Sequence, residues 1–420
     1  MKFQKTSLAS GKDLLFFSLP LILSGVLQQL YNWADAFIVG HVLGEAALAS
    51  IGATSTLTNL LNLAITGFTL GLSIYAAKQC GGNRTDEVRQ ILSSFLLILS
   101  GIFALLSGFG AAFSSRILML MDTPADMFVL SEEYLRVILW GVPFLAVYNT
   151  YAAILRAVGD TKTSFYAVLL SSILNVILDV ILVGVLSCGV AGAAVATVIS
   201  QIVMTVFIIL YSIKKHPVLR FPILGKWLYR GTIKQGVKLG IPPTIQYCVN
   251  AAGNIVLQNF MNSFGSHTVA AVSTAYRIDS IMLLPIINVG SAISTMVARS
   301  TGAGDHEQAK DYLSAGIWLM VCISLALSVL MPLTGGTLVA LFGVGQEAAD
   351  IGRTFFRSIS LFYIFYGIST ALRGYVEGIG KLFFSSLISI LALCARICLS
   401  YLLAPVFGNM SIAYSEKGNR

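Results

Sequence analysis

Charge is what this chain has least of. Only 11% of its 420 residues are Asp, Glu, Lys or Arg, while 56% are hydrophobic. Soluble domains carry about 25% charged residues, so a water-exposed globular surface is excluded. The regular ten-residue alternation of a membrane β-barrel is missing too. GGNRTDEV, at residues 81–88, lacks the GK[ST] ending of a phosphate-binding loop, which excludes ATP hydrolysis as a power source and leaves no nucleotide partner. HExxH and the nucleophile elbow are missing, and nothing points to an enzyme. The four histidines (His41, His216, His267, His306) lie at or near loops and form no metal-binding cluster. The six cysteines sit mostly inside apolar segments without metal-ligand spacing, as small packing residues rather than a disulfide framework. No cleavage-like end follows the first apolar run, which continues to spanning length, so a removable leader is not expected.

What remains is a polytopic helical membrane protein. Apolar stretches of bilayer-spanning length, about 20 residues each, fall at 14–40, 48–77, 90–113, 132–155, 163–186 and 190–213, then at 238–262, 268–298, 310–332, 353–374 and 382–405. The net charge of +8 comes from lysines and arginines gathered in alternate loops, not from a nucleic-acid-binding face. Lys2, Lys5 and Lys12, then Lys78, Arg84 and Arg89, then Arg156 and Lys162 mark one side, and the intervening loops are short or acidic. The positive-inside rule predicts a cytoplasmic N-terminus in a plasma (inner) membrane.

The longest basic connection, 214–237, falls near mid-chain and divides the chain into an N-terminal lobe, 1–213, and a C-terminal lobe, 238–420. The halves resemble each other. A shift of 221 residues pairs Gly44 with Gly265, Ser73 with Ser294, Gly81 with Gly302 and Asp86 with Glu307. LRAVGDTK at 155–162 is echoed by LRGYVEGIGK at 372–381. The fold expected is all-α, two six-helix bundles related by an internal repeat, as in transporters that work by alternating access. The second copy reaches the place of its sixth helix at FGNMSIAYSEKGNR and stops, so eleven complete spans and a stub are expected, with the last helix missing.

Against this apolar background, Asp35 and Asp179 stand out. A charged side chain at bilayer depth costs roughly 2.5–3.5 kcal/mol on insertion scales, and such residues mark ion pathways and cavities. Gln28, Tyr31, Asn32 and Asp35 recur at spacings of three and four and form one polar stripe on the first helix. Asn175 and Asp179 share a face of the fifth. If these faces meet, two carboxyl groups and neutral oxygens form a site for a proton or Na⁺. Pro20 removes the amide that would bond the Phe16 carbonyl and makes the first helix easy to bend. The second half has Val256 and Cys398 where the acids would be, and carries the uncharged stripe Gln246, Asn250, Asn254, Gln258 and Asn262. That stripe suits either contact with a cargo or packing between helices. Arg277, Asp279 and Arg396 are further intramembrane charges, and each needs a partner from another element.

YNWADAFIVGHVLGEAALASIG, LRAVGDTKTSF and NVILDVILVGVLSCGVAGAAVAT resemble the multidrug and toxic compound extrusion (MATE) family, and the likeness extends over essentially the whole chain. It is closest in kind to the branch with an acidic N-lobe site, the DNA-damage-inducible-protein-like members. The resemblance implies a twelve-helix, two-lobe fold and an efflux antiporter that exports drugs or other small organic compounds, cationic or amphipathic, against H⁺ or Na⁺. It implies no other cofactor and a monomer in the bilayer. Carried over residue by residue, it implies a cation site of Tyr31, Asp35, Asn149, Asn175, Asp179 and Thr197; Asn149 and Thr197 rest on the resemblance alone. Gln28, Asn32, Gln246, Asn250, Asn254, Arg277 and Arg396 are the candidates for contact with cargo. Another branch has acids in helices seven and ten. Here the helix-seven acid is missing and Glu377 lies at the end of helix ten, so a C-lobe cation site is not expected. Two rival readings are a lipid-linked saccharide flippase of related architecture, which calls for a strongly cationic cavity, and a non-transporting truncated remnant.

Overall fold

The computed structural model describes residues 2–220, 227–262, 264, 266–341, 346–407 and 411, and among these every regular element is helical. In chain order the helices are α1 (Lys2–Leu43), α2 (Glu45–Gly81), α3 (Thr85–Ala112), α4 (Ser114–Leu120), α5 (Ala125–Ile138), α6 (Val142–Val158), α7 (Thr161–Asp179) and α8 (Gly189–Lys215). They continue with α9 (Arg230–Asn262), α10 (Ser266–Met282), α11 (Leu284–Gly302), α12 (His306–Leu341), α13 (Gln346–Ile359), α14 (Phe362–Gly378) and α15 (Leu382–Phe407).

Local chemistry explains the punctuation. Gly159 ends α6 in the left-handed region, φ +93°, where its amide bonds back to the Arg156 carbonyl; a side chain there would be strained. The next residue, Asp160, caps α7 by accepting from the Thr163 amide at 3.2 Å. Pro285, in the first turn of α11, has no amide to continue α10, and the two helices meet at a 42° bend. α13 and α14 meet at a 55° bend, where the Ser360 carbonyl accepts from the Ser328 hydroxyl of α12 at 2.6 Å.

Among the described residues eight helices are long and apolar enough to cross a membrane, or ten if each bent pair forms one span, which makes this a multi-pass membrane protein. The expected seventh span, 238–262, lies in α9, a 33-residue helix that is not among these. Its amide-bearing stripe dilutes the apolar run. The expected stub, 407–420, lies outside the described residues apart from Phe407, the end of α15, and Ser411.

The chain divides into two compact units, Leu23–Thr244 and Met1–Ile22 together with Ile245–Arg420. This differs from the linear division expected at residues 214–237. The first half of α1 belongs with the C-terminal residues, and the first half of α9 belongs with the N-terminal ones. The reason is that α1 and α9 are long continuous helices, 42 and 33 residues, which carry the chain from one unit to the other without a loop. Pro20 lies near one changeover, Pro242 and Pro243 near the other.

Within Leu23–Thr244, α2 meets the start of α9 backbone to backbone. A Cβ on Gly67 would stand 2.7 Å from Thr244 Cα. In the other unit, a Cβ on Gly374 or Gly378 would stand 2.7 Å from the Gly290 or Ser294 carbonyl oxygen, so α14 presses directly on α11. A buried cluster that includes Leu14, Phe17, Phe355, Phe356 and Tyr363 fills that unit.

Candidate functional site

Asp35 and Asp179 both lie in the unit Leu23–Thr244. Asp35 is half-buried on the second half of α1, with its Oδ1 buried and without a hydrogen-bond donor. Asp179, the last residue of α7, is 0% exposed, and neither of its oxygens has a donor. The two carboxyl groups adjoin closely enough to interact with each other directly. Immediately after Asp179 the helix widens to π geometry over Val180–Val185. Such local widening recurs at functional sites in other helices.

Asn175, one turn before Asp179, is buried. Its Nδ2 donates to Thr197 Oγ1 of α8 at 3.4 Å, and Thr197 Oγ1 donates to its own helix at the Ala193 carbonyl, 3.1 Å. Asn175 Oδ1 is buried without a donor. Tyr31, one turn before Asp35, lies within charge range of it. Asn149 on α6 spends its amide on the Leu145 carbonyl of its own helix, 2.9 Å.

Four buried oxygens are therefore acceptors without a donor: Asp35 Oδ1, Asp179 Oδ1 and Oδ2, and Asn175 Oδ1. Ionised carboxylates have no hydrogen to share, so two of them side by side cannot satisfy one another. One added proton turns the repulsion into a hydrogen bond; a small hard cation binds to the same oxygens. Among the described residues no group of three or more His, Cys, Asp or Glu is arranged to hold a metal. The chemistry available is reversible uptake of a small cation.

Tyr134 on α5 was not singled out by sequence. It is buried and within charge range of Asp35, Tyr31 and Asp179. The one available signal was the repeat: the 221-residue offset pairs Tyr134 with Phe355, so the hydroxyl is present only in the half that has the acids.

The candidates for cargo contact are spread out. Gln28 and Asn32 are exposed on α1. In the other unit Gln246 is buried with Oε1 lacking a donor, Asn250 is half-buried, and Asn254 and Arg277 are exposed. Arg396 is buried, donates to the Tyr276 hydroxyl at 2.7 Å and lies 5.7 Å from that ring's centre. Asp279 is buried and accepts from the Tyr363 hydroxyl at 2.5 Å. Glu377, at the end of α14, accepts from Arg373 Nε and Ser385 Oγ, both at 2.8 Å.

Outside the spans, Asp160 anchors a polar cluster. Its Oδ2 accepts from Thr163 Oγ1 at 2.7 Å and pairs with Lys215 at 3.0 Å and His216 at 2.9 Å. Burial pushes the Asp160 carboxyl up, but the donors from Thr163, His216 and Lys215 outweigh it and hold it at about 2.

Comparison with known proteins agrees with this architecture. The MatE family pattern matches residues 20–181 and again 242–402. The chain is 30% identical over 380 residues to the probable multidrug resistance protein YpnP of Bacillus subtilis, covering 88% of this chain and 83% of the relative. It is 27% identical to the probable multidrug resistance protein YoeA of the same organism, covering 93% and 86%. Among solved structures, a MATE protein crystallised in complex with MaL6 superimposes with a TM-score of 0.91 at 22% identity, covering 98% of this chain and 93% of that one, and this likeness concerns the fold alone. With the family pattern matched in both halves and a relative at 30% identity across most of its length, the chain belongs to the MatE family of transporters.

Proposed function

We propose that this protein is a cation-coupled antiporter that exports small organic compounds from the cytoplasm by alternating access, driven by H⁺ or Na⁺ entering at the Asp35–Asp179 pair. The names of its relatives, multidrug resistance and multidrug export proteins, support drug-like cargo. The observation that carries the coupling site is the set of donor-less buried oxygens on Asp35, Asp179 and Asn175. The side marked by the basic loops faces the cytoplasm, with the N-terminus on that side.

Cargo is taken up in the inward-facing state. In the outward-facing state the cation binds between Asp35 and Asp179, α1 changes its bend near Pro20, and affinity for cargo falls. Coupling requires that cation and cargo favour different states; equal affinity for both would drive nothing. Tyr31 and Tyr134 flank the pair, while Asn175, held by Thr197, keeps its carbonyl oxygen without a donor one turn from Asp179. Gln28, Asn32, Gln246, Asn250, Asn254, Arg277 and Arg396 are the proposed contacts for cargo.

The test is gradient-driven export of a fluorescent cationic dye from cells or proteoliposomes. Asp35→Asn and Asp179→Asn are each expected to reduce it to background while expression is retained. Undiminished export in both variants would falsify the assignment.

A further inference from the structure

Along the seam between α7 and α8, polar groups continue from the acid pair toward the end where Asp160 lies. Ser172 is 8% exposed and Ser164 is 5% exposed; with Asn175 and Asp179 they mark the buried face of α7 at near-helical intervals. Ser200, 2% exposed, lies opposite on α8. Two bonds fix the antiparallel register, Asn175 to Thr197 and the Ser171 hydroxyl to the Ser200 carbonyl at 3.1 Å. Ser172 and Ser200 therefore share a level about two turns from Asp179.

Ser172 Oγ, Ser200 Oγ and Ser164 Oγ are all buried without a hydrogen-bond partner. Buried polar atoms are almost always paired, with protein or with ordered water, so a line of such orphans on one seam marks places that bind water. Between the Ser172–Ser200 level and Ser164 the seam is apolar, closed by Val168, Met204 and Ile208, each under a tenth exposed. Beyond Ser164 come Thr163 and Asp160, with Lys215 and His216 partly exposed. A recess of about 180 Å³ lined by Val158, Lys215, His216 and Leu219 lies beside this end.

We propose that the α7–α8 seam is a gated proton path that joins the Asp35–Asp179 pair to the cytoplasm at Asp160 and His216, with Val168, Met204 and Ile208 as its gate. The proposal rests on the reading of that pair as the coupling site, with a proton as the coupling ion. The proton leaving Asp179 passes to water held by Ser172 and Ser200. Each water or hydroxyl accepts one proton and releases another, so it ends unchanged. Ser164 repeats this beyond the gate, and the proton departs to bulk water. The closed apolar gate keeps the path from short-circuiting the gradient, because a dry constriction breaks the chain of hydrogen bonds.

The experiment uses the full chain in proteoliposomes that contain a pH dye, with membrane potential clamped and no cargo. Wild type is expected at the leak of empty vesicles. Val168→Ser, which wets the gate, is expected to raise proton flux by at least about tenfold. Combining Val168→Ser with Asp179→Asn returns flux to background. Met204→Gln, at the same level on α8, provides the same readout if the first variant does not fold. Ser172→Ala with Ser200→Ala lowers the flux of Val168→Ser several-fold. Background flux in both gate variants, while Asp179→Asn still abolishes coupled export, overturns the path and leaves the coupling site standing. A leak undiminished by Asp179→Asn also overturns the path. Coupled export that survives Asp179→Asn instead overturns the reading of the pair.

Discussion

Replacing Asp179 by Asn should stabilise the protein while it stops transport. In the native chain the carboxyl is completely buried, its two oxygens receive no donor, and its neighbour is another acid. The amide is nearly the same size, so packing around it is kept. It removes one of two opposed acids and supplies an N–H₂ next to Asp35 Oδ1, an acceptor that has none. A hydrogen bond to a charged group contributes about 1.5–3 kcal/mol, and allowing for imperfect geometry the gain is about 1–3 kcal/mol. With about 2–4 °C per kcal/mol for a unit of roughly 200 residues, the melting midpoint should rise by about 2–12 °C. The assay is thermal unfolding by intrinsic fluorescence in detergent or nanodiscs, alongside dye export from proteoliposomes. Opposite signs in the two assays are the signature of a site kept for function at a cost in stability. A midpoint that falls by a similar amount would mean that Asp179 is a structural partner, and the reasoning from donor-less oxygens would be refuted.

Other outcomes follow from the same geometry. Gly67→Leu forces side-chain atoms into the Thr244 backbone and should destabilise the unit by about 1–3 kcal/mol, read as a lower midpoint; an unchanged midpoint would mean that α2 and α9 are not in close contact. Asp160→Asn weakens the cap on α7 and the pairs with Lys215 and His216, and after discounting for solvent screening it should cost about 1–2 kcal/mol. Because the Asp160 carboxyl is held below its ordinary value, its contribution is complete above about pH 4 and fades as pH falls toward 2. Wild type should therefore lose more stability than Asp160→Asn over that window, as measured by midpoints across pH. Tyr363→Phe removes the hydroxyl that donates to buried Asp279 and should lower the midpoint by an amount equivalent to about 1–3 kcal/mol, whereas a neutral result would show the bond to be dispensable.

Sequence spacing correctly grouped residues that share one helix. Tyr31 with Asp35 and Asn175 with Asp179 were legible because one turn of an α-helix fixes which side chains lie on one face. The chain's membrane character was legible for a similar reason, since apolar length and the bilayer's thickness are both read residue by residue. Asp279 illustrates the limit. Its need for a partner was evident from its charge, but Tyr363 lies 84 residues away and only the packed bundle brings it there. Tyr134 looked like one packing aromatic among 40 Phe, Tyr residues and was distinguishable only by its neighbours in space.

Composition and periodicity by themselves determined that this chain crosses a membrane many times, that its halves share a pattern, and that Asp35 and Asp179 are out of place in lipid. The tertiary structure decided that those acids adjoin, that α7 opens into π geometry just beyond Asp179, and that α1 and α9 are each divided between two units. The reason is one of range. Helix formation and hydrophobic matching depend on residues three or four apart, whereas the meeting of helices depends on many weak contacts between distant segments, such as α2 against α9 at Gly67, and no local spacing reports their sum.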